Sequence, residues 1–217
     1  TLFRSSVQPL AHLFLLHINP PLLYHPEKFS RNTLCLLFLL LTMRSRQEAL
    51  TPVDDRALSL AVSLFAHAHQ GALAFLSPSN GWPQVSRVAV GRDAEGIPLI
   101  LISGLSAHFA ALSHDPRCCL LLGAPGSGDP LAHPRISVDC RAVRIPDVDK
   151  PIHRDAFVAW QPKAALYVDF ADFAFWRLMP ESASLNGGFG KAHALDASAL
   201  QGILRTALAL ASAPPQP

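Results

Sequence analysis

Charge is scarce in this chain: Asp, Glu, Lys and Arg together make up 16% of its 217 residues. The formal net charge is only +2, and the excess lies in residues 1–42, where Arg4, Lys28 and Arg31 face a single acid, Glu27. Beyond them bases and acids balance, so the basic stripe that a phosphate backbone requires is missing, which excludes a nucleic-acid surface. The four cysteines, Cys35, Cys118, Cys119 and Cys140, form neither a CxxC pair nor a zinc spacing. That excludes a disulfide framework and fits reduced, buried thiols in a cytoplasmic protein. There is no H-E-x-x-H pattern to bind zinc and no G-x-S-x-G elbow to raise a nucleophile, so metalloprotease and hydrolase chemistry find no support. His67, His69 and His114 show no ligand spacing and lie at expected helix ends or surfaces, whereas His133 in DPLAHPR and His193 after the glycines are less easily set aside. The eight apolar residues from Leu34 to Leu41 fall far short of the ~20 that cross a bilayer.

What the chain does have is hydrophobic residues, half of the total, and 19 prolines. That is enough for one sizeable core. The first 42 residues, rich in Leu, Pro and His and without a sustained period, read differently from the rest. They are expected to be an upstream extension, non-native or an anchor, with Met43 as the natural start. Residues 43–211 form the expected domain, and 212–217, ending in Pro-Pro-Gln-Pro, a disordered tail.

Thr51-Pro52 followed by Asp54 and Asp55 signals a helix start, with Leu58, Ala61, Leu64 and Phe65 as its apolar face. Short strand-like segments follow at 71–76, 83–90, 98–103, 118–123, 135–145 and 172–180. Asn80-Gly81 and the 93–96 stretch Asp-Ala-Glu-Gly mark hairpin turns. Helices are expected at 105–113, 153–162 and 197–211, the last capped by Asp196. Six strands at short spacing with few helices between them predict a mainly β fold, a small antiparallel barrel with flanking helices.

Three places could carry chemistry. Ser103, Ser106 and His108 surround a predicted helix N-terminus, whose open N–H groups suit a phosphate; capping the helix would use the same hydroxyls. Strand alternation sets Val85, Arg87 and Ala89 on one face and Ser86, Val88 and Val90 on the other. Arg87 among apolar neighbours calls for an anion, either a phosphate or an acid, or for an edge where it reaches water. The third place is Ser184–Leu195, where Asn186, Gly187, Gly188 and Gly190 fit neither a P-loop nor a Rossmann turn. A turn or a close approach to a ligand would each explain those glycines.

These segments, in this order, resemble the FMN-binding split-barrel family related to pyridoxamine 5′-phosphate oxidase, and in particular its heme-utilisation branch. The likeness is carried by NGWPQVSRVAV, LILISGLSAHFAALSHDPRCCLLL, GDPLAHPRISVDCRAVRI and AALYVDFADFAFWRLMPESASLNGGFGKA, roughly Asp55 to Leu195. It implies a six-stranded antiparallel split barrel that forms a homodimer, with FMN in clefts between the subunits. Ser86, Arg87 and Val88 would then line the ring and phosphate from one strand. Ser103, Ser106 and His108 would hold the phosphate, and Asn186, Gly187 and Gly188 would approach the flavin from the partner chain. The implied function is that of an FMN-dependent oxidoreductase acting on a small molecule and linked to heme; a flavin or heme carrier on the same barrel is the alternative. Val90 stands where the oxidase has a phosphate-binding lysine, and no Arg-Leu-His follows the glycines. The resemblance therefore does not extend to pyridoxamine phosphate oxidation.

Overall fold

A computed structural model describes residues 52–188 and 191–212. The expectations for residues 1–42 and for the tail beyond Ser212 lie outside the described residues. The first helix, α1 (Asp55–Ala66), begins later than Thr51 because Asp54 is the cap: its Oδ1 accepts from the Ala57 amide at 2.7 Å. It is followed by β1 (Gln70–Leu76), β2 (Pro83–Ala89), the two-residue β3 (Gly91–Arg92) and β4 (Pro98–Ser103). Helix α2 (Ala107–His114), β5 (Arg117–Leu122) and β6 (Arg135–Arg144) come next. The chain continues through α3 (Lys150–Trp160), β7 (Phe173–Asn186), β8 (Ala192–Asp196) and α4 (Ala197–Ser212). Asp196 caps α4 as its position predicts, accepting from Ala199 N at 2.8 Å.

Every strand pair is antiparallel, in the order β2-β1-β5-β6-β7-β4-β3. Only Val90 separates β2 from β3, so the two ends of the sheet are one bent strand: β2 pairs with β1, and β3 pairs with β4. The sheet thus curls into the six-stranded barrel, with β8 added beside the second half of β7. Strand β7 is much longer than the nine residues foreseen. Its first part pairs with β4, its last part with β8, and β6 runs along the other edge of both. Pro180 has no N–H for the ladder, and the β6 register shifts there, between Asp139 and Cys140.

The interior is apolar: Leu73, Phe75, Val88, Ile100, Leu120, Ile136, Val138 and Leu178 are all buried in one cluster. Helices α1 and α4 contribute Ala61, Phe65, Leu200 and Leu204 to it, and α2 closes one end with Ala111 and Leu112. A second cluster covers the outer side of β4 and β7, where Phe157 of α3 meets Leu99, Leu101 and Phe175. Phe157 and Phe175 pack edge to face at 5.3 Å.

The end of α3 fastens the bent strand. The Gln161 side-chain amide donates to His69 O at 2.5 Å and to Val90 O at 2.9 Å, while Val90 N donates to His69 O at 3.0 Å. Trp160 Nε1 donates to Ala68 O at 3.0 Å. Its ring lies parallel to His69 at 4.2 Å, and Arg92 Cζ stands 3.9 Å from the ring centroid. Two groups at those heights cannot share one face, so the indole is layered between imidazole and guanidinium.

Gly91 sits where a Cβ would come within 2.5 Å of the Phe157 ring. Gly91→Ala should therefore lower stability by about 1–3 kcal/mol in urea unfolding, as overpacking does. Combined with Phe157→Leu, which opens the contact, the added loss should shrink, giving a non-additive double-mutant cycle.

Candidate functional site

The nine residues singled out from the sequence occupy three places. In β2, Ser86 is paired with Leu73 and Val88 with Gly71, on the inner face. Val88 is buried and Ser86 half-buried. Arg87 pairs with Ala72 on the outer face, where it is exposed. It makes no hydrogen bond or ion pair among the described residues. The alternation is as foreseen, but the apolar neighbours of Arg87 are not core: Val85 is 67% exposed and Trp82, at the strand's approach, 72%. Ala72 and Ala74 lie between β2 and the half-exposed Leu121 and Cys119 of β5. The result is a smooth apolar strip beside one unpaired cation.

At the N-terminus of α2 the hydroxyls are already engaged. Ser106 Oγ accepts from Phe109 N at 3.3 Å and donates to Ser103 O at 2.7 Å, so it is the helix cap. Ser103 Oγ donates to Asp172 Oδ2 at 2.5 Å and accepts from Leu105 N at 3.1 Å. Asp172, 69 residues away in sequence, was not foreseen, and no local signal marks it. The amides of Ala107 and His108 keep no acceptor among the described residues. Two open N–H groups at a helix start attract an anion, whereas the Asp172 carboxylate at Ser103 repels one.

His108 links this helix end to β2. Its ring is 5.9 Å from that of Phe75, the neighbour of Gln84 in the strand pair. Ser86 and His108 thus border the same end of the barrel. Burial pushes the His108 imidazole below its usual value, leaving it neutral near pH 7.

Asn186, Gly187 and Gly188 form the tip between β7 and β8. Gly187 N donates to Lys191 O at 2.8 Å, and Asn186 Oδ1 accepts from Gly188 N at 3.0 Å. Gly188 has φ +106°, and a Cβ there would meet Ala132 O at 3.1 Å. A positive φ and a close backbone neighbour within the same chain already require glycine. Round the closed sheet, β2 and β7 are separated by β1, β5 and β6 on one side and by β4 on the other. From Ser103, opposite Phe173, to Asn186 runs the length of β7, about 40 Å along the strand. One chain therefore brings Ser103 and Ser106 together and sets Ser86 near His108, but leaves Arg87 on the outside and the glycine tip remote.

No family model matches the chain. A curated relative, the chloroplastic non-canonical heme oxygenase HOZ of Arabidopsis thaliana, is 35% identical over 108 residues, 49% of this chain and 32% of its own. The chain thus spans about a third of that relative's length. A heme binding protein from Mycobacterium smegmatis superposes with TM-score 0.62 at 29% identity, over 69% of this chain and 62% of that one. A Clostridium acetobutylicum protein related to general stress protein 26, of the pyridoxinephosphate oxidase family, superposes with TM-score 0.51 at 14% identity over 66% and 96%; this likeness is one of fold.

A lowered His108 value means that the unfolded chain holds the proton more tightly, so its neutral burial stabilises the fold above the unfolded value, about 6.5. That contribution should fade as pH falls from about 6.5 through the lower folded value. Urea midpoints at pH 7 and pH 5 should diverge less in His108→Gln than in the parent chain.

Proposed function

We propose that the chain, whose fold is that of the split barrels related to pyridoxamine 5′-phosphate oxidase, is a homodimeric FMN-binding oxidoreductase of that family linked to heme utilisation. The observation that carries this reading is Arg87. A guanidinium without a partner, beside a strip of Ala72, Ala74, Val85 and Leu121, matches a flat ring that carries an anionic arm. The same exposed strip suits a second copy of the sheet, related by a twofold axis. Such a copy supplies what one chain lacks, bringing the Asn186–Gly188 tip of one protomer to the Arg87 side of its partner.

The residues fit the flavin on these terms. Arg87 would pair with the phosphate, and the open amides of Ala107 and His108 would offer further donors. Ser86 and His108 would face the ring at the barrel end, with the neutral imidazole as a hydrogen-bonding group. Bound FMN would supply the electron transfer; the chain would bind and orient it and temper negative charge on its reduced form. A second reading, a heme carrier, draws support from the heme proteins among the relatives and from the neutral state of His108, the form in which imidazole binds metals.

Titration of the protein with FMN, followed by flavin fluorescence, should saturate at one flavin per chain on a species of dimer mass. Arg87→Ala should weaken binding by about 1.5–3 kcal/mol, as for a lost charge-assisted contact. Asp172→Asn should strengthen it if the phosphate reaches the α2 end. An unchanged affinity in Arg87→Ala rejects the phosphate role. Sustained NAD(P)H oxidation by the loaded protein supports the oxidoreductase, and hemin binding without turnover supports the carrier.

A further inference from the structure

An open surface cavity of about 330 Å³ lies between the β3–β4 turn, α3 and the end of α4. Its size falls within the range of small-molecule sites, roughly 300–1,000 Å³. Among the described residues its polar lining is Arg92, Asp93, His153 and Trp160, and the rest is apolar, including Ala156 and Ala159.

The state of those polar groups defines what the cavity can take. Asp93 is buried and fully engaged: Oδ1 accepts from the amides of Glu95 and Ile97, both at 2.9 Å, and Oδ2 lies 2.6 Å from Arg177 Nε. Trp160 Nε1 is committed to Ala68 O. Arg92 is different. Its Nη2 donates to Ala66 O at 2.9 Å and to Phe65 O at 3.4 Å, carbonyls at the end of α1, and its plane rests on Trp160. No carboxylate pairs with it, and Nε and Nη1 have no acceptor among the described residues. The partial negative charge of a helix end offsets only part of a full cation. Burial holds this guanidinium below its usual value, the sign of a cation short of compensation. His153, half-buried on α3 with its ring against Phe175, is the other polar group available.

The geometry points to a second binding site in this cavity, for an organic carboxylate with an apolar body, its carboxylate on Arg92 and its body along the alanine face of α3. The charge is fixed by Arg92, and the absence of an unengaged acid removes any attraction for cations. The remainder favours carbon over further polar groups, since among the described residues only His153 is left to hydrogen-bond to them. The site shares no residue with the Arg87 face, so it stands or falls independently of flavin or heme.

The test compares 2-naphthoate with its neutral counterpart 2-naphthalenemethanol, by calorimetric titration of the full chain. The acid should bind saturably and at least about tenfold more tightly, the span expected of one charge-assisted contact. Arg92→Met, which keeps a side chain on the Trp160 ring, should abolish that preference while leaving the alcohol unchanged, a result that general misfolding does not produce. Ala159→Trp, which fills the cavity from an exposed helix position, should remove binding of both. Arg87→Ala should leave both intact. Decanoate in place of naphthoate reports whether an aliphatic or an aromatic body is preferred. Equal affinity for acid and alcohol, binding that survives Ala159→Trp, or no saturable binding of the acid overturns the assignment.

Discussion

The fold depends on one junction, where a single strand must serve both ends of a sheet. At Val90 the backbone leaves the β1 ladder and joins β4, and at such a bend the ladder hydrogen bonds are interrupted. Backbone groups left without partners in a dry interior cost free energy comparable to a lost hydrogen bond. Val90 N still bonds His69 O, and the Gln161 side chain takes up the Val90 carbonyl that the bend leaves over while adding a second bond to His69 O. Trp160 ties the neighbouring Ala68 carbonyl, and its layered contact with His69 and Arg92 holds the strand against α3. The small size of Gly91 lets Phe157 come close enough for this clamp to reach.

Much of the barrel was legible because its signals are local. Asn80-Gly81 forms the first hairpin, with Gly81 at φ +71°, and Gly96 forms the second at φ +84°. Alternation placed Ser86 and Arg87 on opposite faces, as observed. Which face is the inside is another matter, because it depends on the order of strands from distant parts of the chain. The second half of β7 and all of β8 were hidden because Ser182, Ser184 and Asn186 alternate with only Ala183 and Leu185, a weak apolar signal beside a glycine cluster. The pairing of Ser103 with Asp172 and of Gln161 with His69 joins residues 69 and 92 positions apart, beyond any local pattern.

The scarcity of charge has a structural counterpart. Most ion pairs lie at the surface, such as Arg154 with Asp169 and Arg141 with Glu181, where each contributes little. Among the described residues the exception is Asp93, nearly enclosed and matched by Arg177 and two amides, in the turn that carries the bent strand into β4. Several described cations make no ion pair, and two of them lie on the bent strand. Arg87 faces outward and Arg92 lines a cavity, five residues apart on the same bent strand.

The long reach of β7 sets the order in which the molecule can be made. Strands β1 and β2 can pair as soon as both have been synthesised, and β5 and β6 soon afterwards. Strand β4 must wait for the start of β7, and the Val90 carbonyl must wait for Gln161, 71 residues later. Until then a nascent chain leaving the ribosome carries two unclosed sheet edges, with the apolar segment from Leu99 to Ile102 among them, open to pairing with neighbouring chains. Closure is thus a late event in biosynthesis, and crowded expression at high temperature would expose this chain at its most vulnerable stage, before β7 has emerged.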